Sequence, residues 1–155
     1  MLLSELAEAI RDIVNNAPEK TWPDAKVALD YVTCLSSSSE MQVIVTPELV
    51  QMQRESSQGR RRIVKLHEVL LIHLIVGKGF EDLPTNEDVA PWDECKEILD
   101  IHHKIQRYVM FNWPPGLTLV DAEPQPVDEQ QLDHRNFNVF TTFGYEQFVC
   151  DSGQE

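Results

Sequence analysis

The side chains that could do chemistry in this sequence are five histidines, three cysteines and a large excess of carboxylates. His67-Glu68 begins an HExxH zinc-protease pattern, but Leu71 stands where the second histidine must be. His67 and His73 share a strand parity and lie six residues apart, too far to share one ion where the chain rises about 3.3 Å per residue. Both are expected on a sheet surface. His102 and His103 are helix neighbours whose side chains diverge by about 100°, so they cannot chelate together. Gly77-Lys78-Gly79 lacks the spacing of a phosphate-binding loop, and Ser36 to Ser39 lacks the glycine framing of a nucleophile elbow. Asp93 and Glu97 share a helix face, where they read as solvated acids near a helix start. These patterns predict no enzyme, no cofactor and no metal.

Cys34, Cys95 and Cys150 are odd in number, far apart and without a CxxC pair, which predicts reduced thiols acting as small hydrophobes. Acidic side chains number 26 against 13 basic ones, a formal charge of −13 that repels a phosphate backbone. The N-terminus has no basic stretch ahead of an apolar one. The longest apolar run, Val69 to Val76, is interrupted by His73 and too short to span a bilayer. The expectation is one soluble domain over residues 1–150 with a polar tail at 151–155.

Two helices and a run of strands would position these residues. Leu6, Ala9, Ile10, Ile13 and Val14 recur at helical spacing between Leu3 and Asn15. Lys26 to Leu35 alternates with Val27, Leu29 and Tyr31 on one parity. Met41 to Thr46 is a β-branched run closed by Pro47, and Leu49 to Arg54 alternates again, so two strands are expected there. Beyond the turn residues Ser56 to Gly59, Arg62 to Val76 carries Val64, Leu66, Leu70, Ile72, Leu74 and Val76 on one parity, a long strand and the second arm of the longest hairpin. A helix opens at Pro91, with Trp92, Cys95, Ile98, Leu99, His102, Ile105, Tyr108 and Val109 on its apolar face. Leu117 to Glu123 and the stretch from Phe137 onward are the closing strands. The fold class is α+β, with two helices packed on one face of an antiparallel sheet.

Two charged groups stand out as candidate subunit or partner contacts. Arg54, Arg60, Arg61, Arg62 and Lys65 form a basic cluster on the expected hairpin, and Asp121, Glu123, Asp128, Glu129 and Asp133 form an acidic one. The basic cluster is equally well read as charge that keeps exposed strand edges soluble. In a head-to-tail assembly, opposite patches of this kind meet across a closed ring.

The succession of "LLSELAEAIRDIV", "VALDYV", "MQVIVTP", "ELVQMQRESSQGRRR", "DECKEILDIHHKIQRYV" and "DEQQLDHRNFNVFTTFGYEQF" covers nearly the whole chain. In pattern and order it resembles bacteriophage tail terminator and tail-completion (neck) proteins. The resemblance implies a structural virion protein, made in the host cytoplasm and placed at the head–tail junction. Such proteins form a ring, typically a hexamer, that caps the tail tube protein and joins it to the head–tail connector proteins. It implies no cofactor and no membrane contact, and DNA would pass through the lumen without specific binding. The hairpin around Arg60 to Arg62 and the loop around Asp121 to Asp133 match places where such rings touch their neighbours. A head-closure or other connector ring, or a small non-enzymatic adaptor domain, is the alternative.

Overall fold

The computed structural model of the chain describes residues 1–29, 40–56, 64–79, 92–114, 117–124 and 136–151. It has two helices, α1 (Leu3–Asn15) and α2 (Trp92–Phe111), and five strands: β1 (Ala25–Val27), β2 (Gln42–Ser56), β3 (Val64–Gly79), β4 (Thr118–Pro124) and β5 (Asn136–Asp151). The strands form one sheet in the order β1-β2-β3-β5-β4. The class is α+β, as the alternation of the two periodicities predicts. One detail of the expected sheet is corrected: β1 runs parallel to β2, so the sheet is mixed, while every other neighbour pair is antiparallel.

Both helices lie on the same face of the sheet. α1 buries Leu6, Ala7, Ile10 and Val14, and α2 buries Cys95, Ile98, Ile101, Ile105 and Val109. These meet Val43 and Val45 of β2, Leu70, Ile72, Leu74 and Val76 of β3, and Phe137, Val139, Phe143 and Tyr145 of β5 in one continuous core. Each strand contributes alternate residues because its side chains alternate between the faces of the sheet. Fully burying one such aliphatic or aromatic side chain contributes about 1.5–3 kcal/mol, so this shared face is the main source of stability. α1 opens with the Leu2 backbone N–H donating to the Glu5 carboxylate at 2.6 Å, which satisfies one donor at the helix start. It ends against β1, where Asn15 accepts from the Ala25 N–H at 2.7 Å and donates to the Ala25 carbonyl at 3.2 Å.

Several expectations shift at the boundaries. The strand expected over Lys26 to Leu35 is only Ala25–Val27, with Ala25 buried and Val27 and Leu29 exposed; residues 30–39 lie outside the described residues. Among the described residues, β1 pairs with β2 at Val43, Ile44 and Val45. The two strands expected on either side of Pro47 are one strand. The β2–β3 register shifts between Pro47 and Leu49, and this irregularity accommodates a residue that has no N–H to give. On α2, Trp92 is exposed and not part of the apolar face, while Ile101 is buried there. Cys95 takes the core place expected of it, whereas Cys150 is exposed near the end of β5, and Cys34 lies outside the described residues.

Candidate contact surfaces

The face of the sheet turned away from the helices carries rows of cross-strand neighbours set by the register. Thr46, His73 and Thr142 form one row, Gln53, His67 and Phe148 another, and Glu55, Lys65 and Cys150 a third. His73 lies 3.0 Å through Nε2 from a carboxylate oxygen of Glu48 and 2.8 Å through Nδ1 from the Thr142 hydroxyl. An N–H donating to the carboxylate places the proton on Nε2, so in the neutral ring Nδ1 accepts from Thr142. His67 bonds Glu146 at 2.9 Å and stacks on Phe148 with ring centroids 4.8 Å apart. Lys65 sits with its ammonium 4.7 Å from the centre of the same Phe148 ring, a cation–π arrangement.

The two histidines are thus sheet-surface residues, as their parity predicts, each with its own carboxylate. The sequence could not show those carboxylates, because Glu146 reaches His67 across a strand pair separated by 79 residues. Among the described residues, no group of three or more histidine, cysteine, aspartate or glutamate side chains could hold a metal ion. A second, smaller apolar cluster lies on this face, where Ile44 and Ile75 are buried with Ala28 and Phe140 packed against them. Leu49 and Phe148 are exposed beyond it.

His102 points the other way, into the core, and is only 4% exposed. Its Nε2–H donates to Thr141 Oγ1 at 3.0 Å, and the Thr141 hydroxyl donates in turn to Gln106 at 3.2 Å. Burial, and secondarily His103 beside it, lowers its pKa from 6.5 to about 4. This buried polar chain joins α2 to β5 and is a structural pairing. His103 is exposed and bonds Arg107 at 3.1 Å, so the adjacent histidines do diverge.

The predicted contact residues divide between the two faces and edges of the sheet. Arg54 is exposed on β2 opposite Leu66, on the same strand parity as the core, while Lys65 lies on the helix-free face opposite Glu55. The two cations therefore do not form one patch. Arg60, Arg61 and Arg62 lie outside the described residues. Asp121 and Glu123 occupy register positions opposite Gly144 and Thr142 on β4, and Asp128, Glu129 and Asp133 lie outside the described residues. What sequence reasoning missed is the bare end of the core face. Past the start of α1, Met52 is 66% exposed and Val149 is exposed as well, near an N-terminus whose Met1 carbonyl accepts from Gln147 at 2.8 Å. The signal was available in the length of the strands, which run on beyond what a helix of 13 residues can cover.

Among the described strands, the sheet order leaves two stretches of backbone edge without a neighbour. β1 accompanies β2 only as far as Val45, with one further bond from the Ala28 N–H to the Val45 carbonyl at 3.1 Å. From Leu49 to Ser56, β2 has β3 on one side and no described strand on the other. β4 is the opposite edge among the described strands, where it pairs with β5. No helix among the described residues is long and apolar enough to cross a membrane. No protein-family model matches the chain, and no curated protein matches it in sequence.

Proposed function

We propose that this chain is a structural virion protein that forms a ring at the head-proximal end of a phage tail, ends the tail tube there and joins it to the head connector. The observation that carries the reading is the pairing of a one-sided core with open sheet surfaces. Both helices pack on one face, while the far stretch of β2 and the whole of β4 remain edges without described neighbours. A subunit built this way has a face and two edges to offer to other chains, which suits repeated assembly. The element order that carries the likeness to tail terminators, a helix, strands, a longer helix and two strands, is the order the fold has.

In this reading the formal charge of −13 keeps the lumen wall from gripping DNA, since like charges repel. The partners are other copies of the chain, the tail tube protein and the head connector. A conditional knockout of the gene in its phage tests the assignment. Loss of a terminating ring leaves tube growth without a stop, so the expected result is overlong tails that fail to join filled heads. Particles that stay infectious with joined tails of normal length would overturn it. Heads that lose DNA while tails keep their length would move the assignment to head closure.

A further inference from the structure

We infer that the helix-free face of the sheet docks a helix of another protein, one with an apolar stripe flanked by lysine or arginine. The inference goes beyond the ring reading and does not depend on it. The middle of this face is open. On β3, Leu70, Ile72 and Leu74 are at most 1% exposed beneath the helices, whereas Val69 and Leu71, on the other side of the same strand, stay partly exposed. Leu49, the register partner of Leu71, is 44% exposed, and Phe148 is 53% exposed. A sheet face kept for solvent carries polar side chains at such positions. Here Leu49, Leu71, Val69 and Phe148 follow one another diagonally across β2, β3 and β5. With strands about 4.8 Å apart and same-face residues about 6.7 Å apart along each, the stripe is about 16 Å long, the length of about three turns of helix.

Charge selects the occupant. Among the described residues, register and contacts place Glu48 and Glu55 of β2, Glu146 of β5, and Asp121 and Glu123 of β4 on this face. Its lysines are Lys65, set opposite Glu55, and Lys26, on β1 beside Ile44. Arg54 belongs to the other face, opposite Leu66. Acids therefore border the stripe from β2 on one side and β4 on the other. Glu48 and Glu146 are also held in place, by His73 at 3.0 Å and His67 at 2.9 Å. A basic flank on the arriving helix meets these carboxylates while its apolar stripe covers Leu49, Val69, Leu71 and Phe148. Charge disfavours a second copy as the occupant, because two such faces set like charges against one another and the chain as a whole carries a formal −13.

Fluorescence anisotropy tests this on the full chain, titrated up to about 100 μM against a labelled synthetic helix of about five turns with leucine at its i, i+3, i+4 and i+7 positions and lysine elsewhere. The expected result is saturable binding that Leu49→Gln with Phe148→Gln, and separately Asp121→Lys with Glu123→Lys, each weaken by at least about tenfold. The same charge change at the exposed Glu8 and Asp12 of α1, Glu8→Lys with Asp12→Lys, should alter the affinity by less than about twofold. A peptide with glutamate in place of lysine should not bind. No binding in that range overturns the proposal. Equal weakening by the α1 pair and the β4 pair also overturns it, since that marks attraction to net charge alone. Should a variant lose the wild-type circular dichroism, nuclear magnetic resonance of the unmodified chain decides. Shifts on peptide addition confined to the methyls of Leu49, Val69 and Leu71 and the ring of Phe148 sustain the docking, and shifts on the helices contradict it. Sedimentation without peptide adds one more outcome: a dimer that Leu49→Gln with Phe148→Gln abolishes would give the face to a second copy and sink the basic helix.

Discussion

Replacing His102 with glutamine should change how stability depends on pH, and the size of that change follows from the burial of the ring. In the folded chain the imidazole is almost wholly covered and its pKa lies at about 4, against 6.5 when unfolded. Between those values the unfolded chain binds the proton and the folded chain does not. Stability therefore rises with pH across that window: it is fully present above 6.5 and lost progressively as pH falls toward 4. With one pKa unit equal to about 1.36 kcal/mol, the neutral ring contributes a pH-dependent part of about 3 kcal/mol, nearly all of it gone at about pH 4. Urea unfolding of the wild type and of His102→Gln at steps from about pH 7 to about pH 4 isolates this part, because the other titrating groups are common to both proteins. The variant loses packing and the bond to Thr141 at every pH, so the wild type should be the more stable at neutral pH. Its advantage should shrink by about 3 kcal/mol on acidification. A stability difference that stays constant across the range would refute the reasoning, and with it the placement of a neutral His102 in the core.

Three further outcomes follow from named contacts. Tyr145 is fully buried with no hydrogen-bond partner on its hydroxyl among the described residues, and burial pushes that phenol's pKa upward, so Tyr145→Phe should stabilise the fold by about 1 kcal/mol in urea melts. Asn15→Ala removes both bonds to Ala25 and should cost about 1–3 kcal/mol, with faster amide exchange in β1 as the local sign. Gly77→Ala sets a methyl against the Asn138 side chain and 3.1 Å from the Phe137 carbonyl, so it should destabilise by about 1–3 kcal/mol and lower the melting temperature.

The parts of the fold that were legible in the sequence are those whose burial has a period. Leu6, Ile10 and Val14 mark α1 as a helix with one core stripe, and Leu70, Ile72, Leu74 and Val76 mark β3 as a strand despite the continuous apolar run around Leu71. Phe137, Val139, Phe143 and Tyr145 do the same for β5. Pro47 misled, because a proline inside a strand reads as a stop unless a bulge frees it from the ladder, and a bulge depends on the partner strand. At Ala28 and Leu29 the expectation failed, because the alternation of Val27 and Leu29 resembles a half-buried strand while the described strand ends at Val27; the rest of that expected strand lies outside the described residues. The contact surfaces were legible only as charge. That Arg54 and Lys65 fall on opposite faces follows from register, and that β2 and β4 lie toward opposite edges follows from strand order. Neither register nor strand order is written in local composition.

The central claim is that the chain is a ring component at the junction of a phage head and tail. Immunogold electron microscopy of purified particles, with antibody raised against the full chain, tests it most directly. The account predicts label concentrated at the head–tail junction and absent from the capsid surface and the distal tail. Particles without label there, from infected cells in which the protein is readily detected, would contradict it.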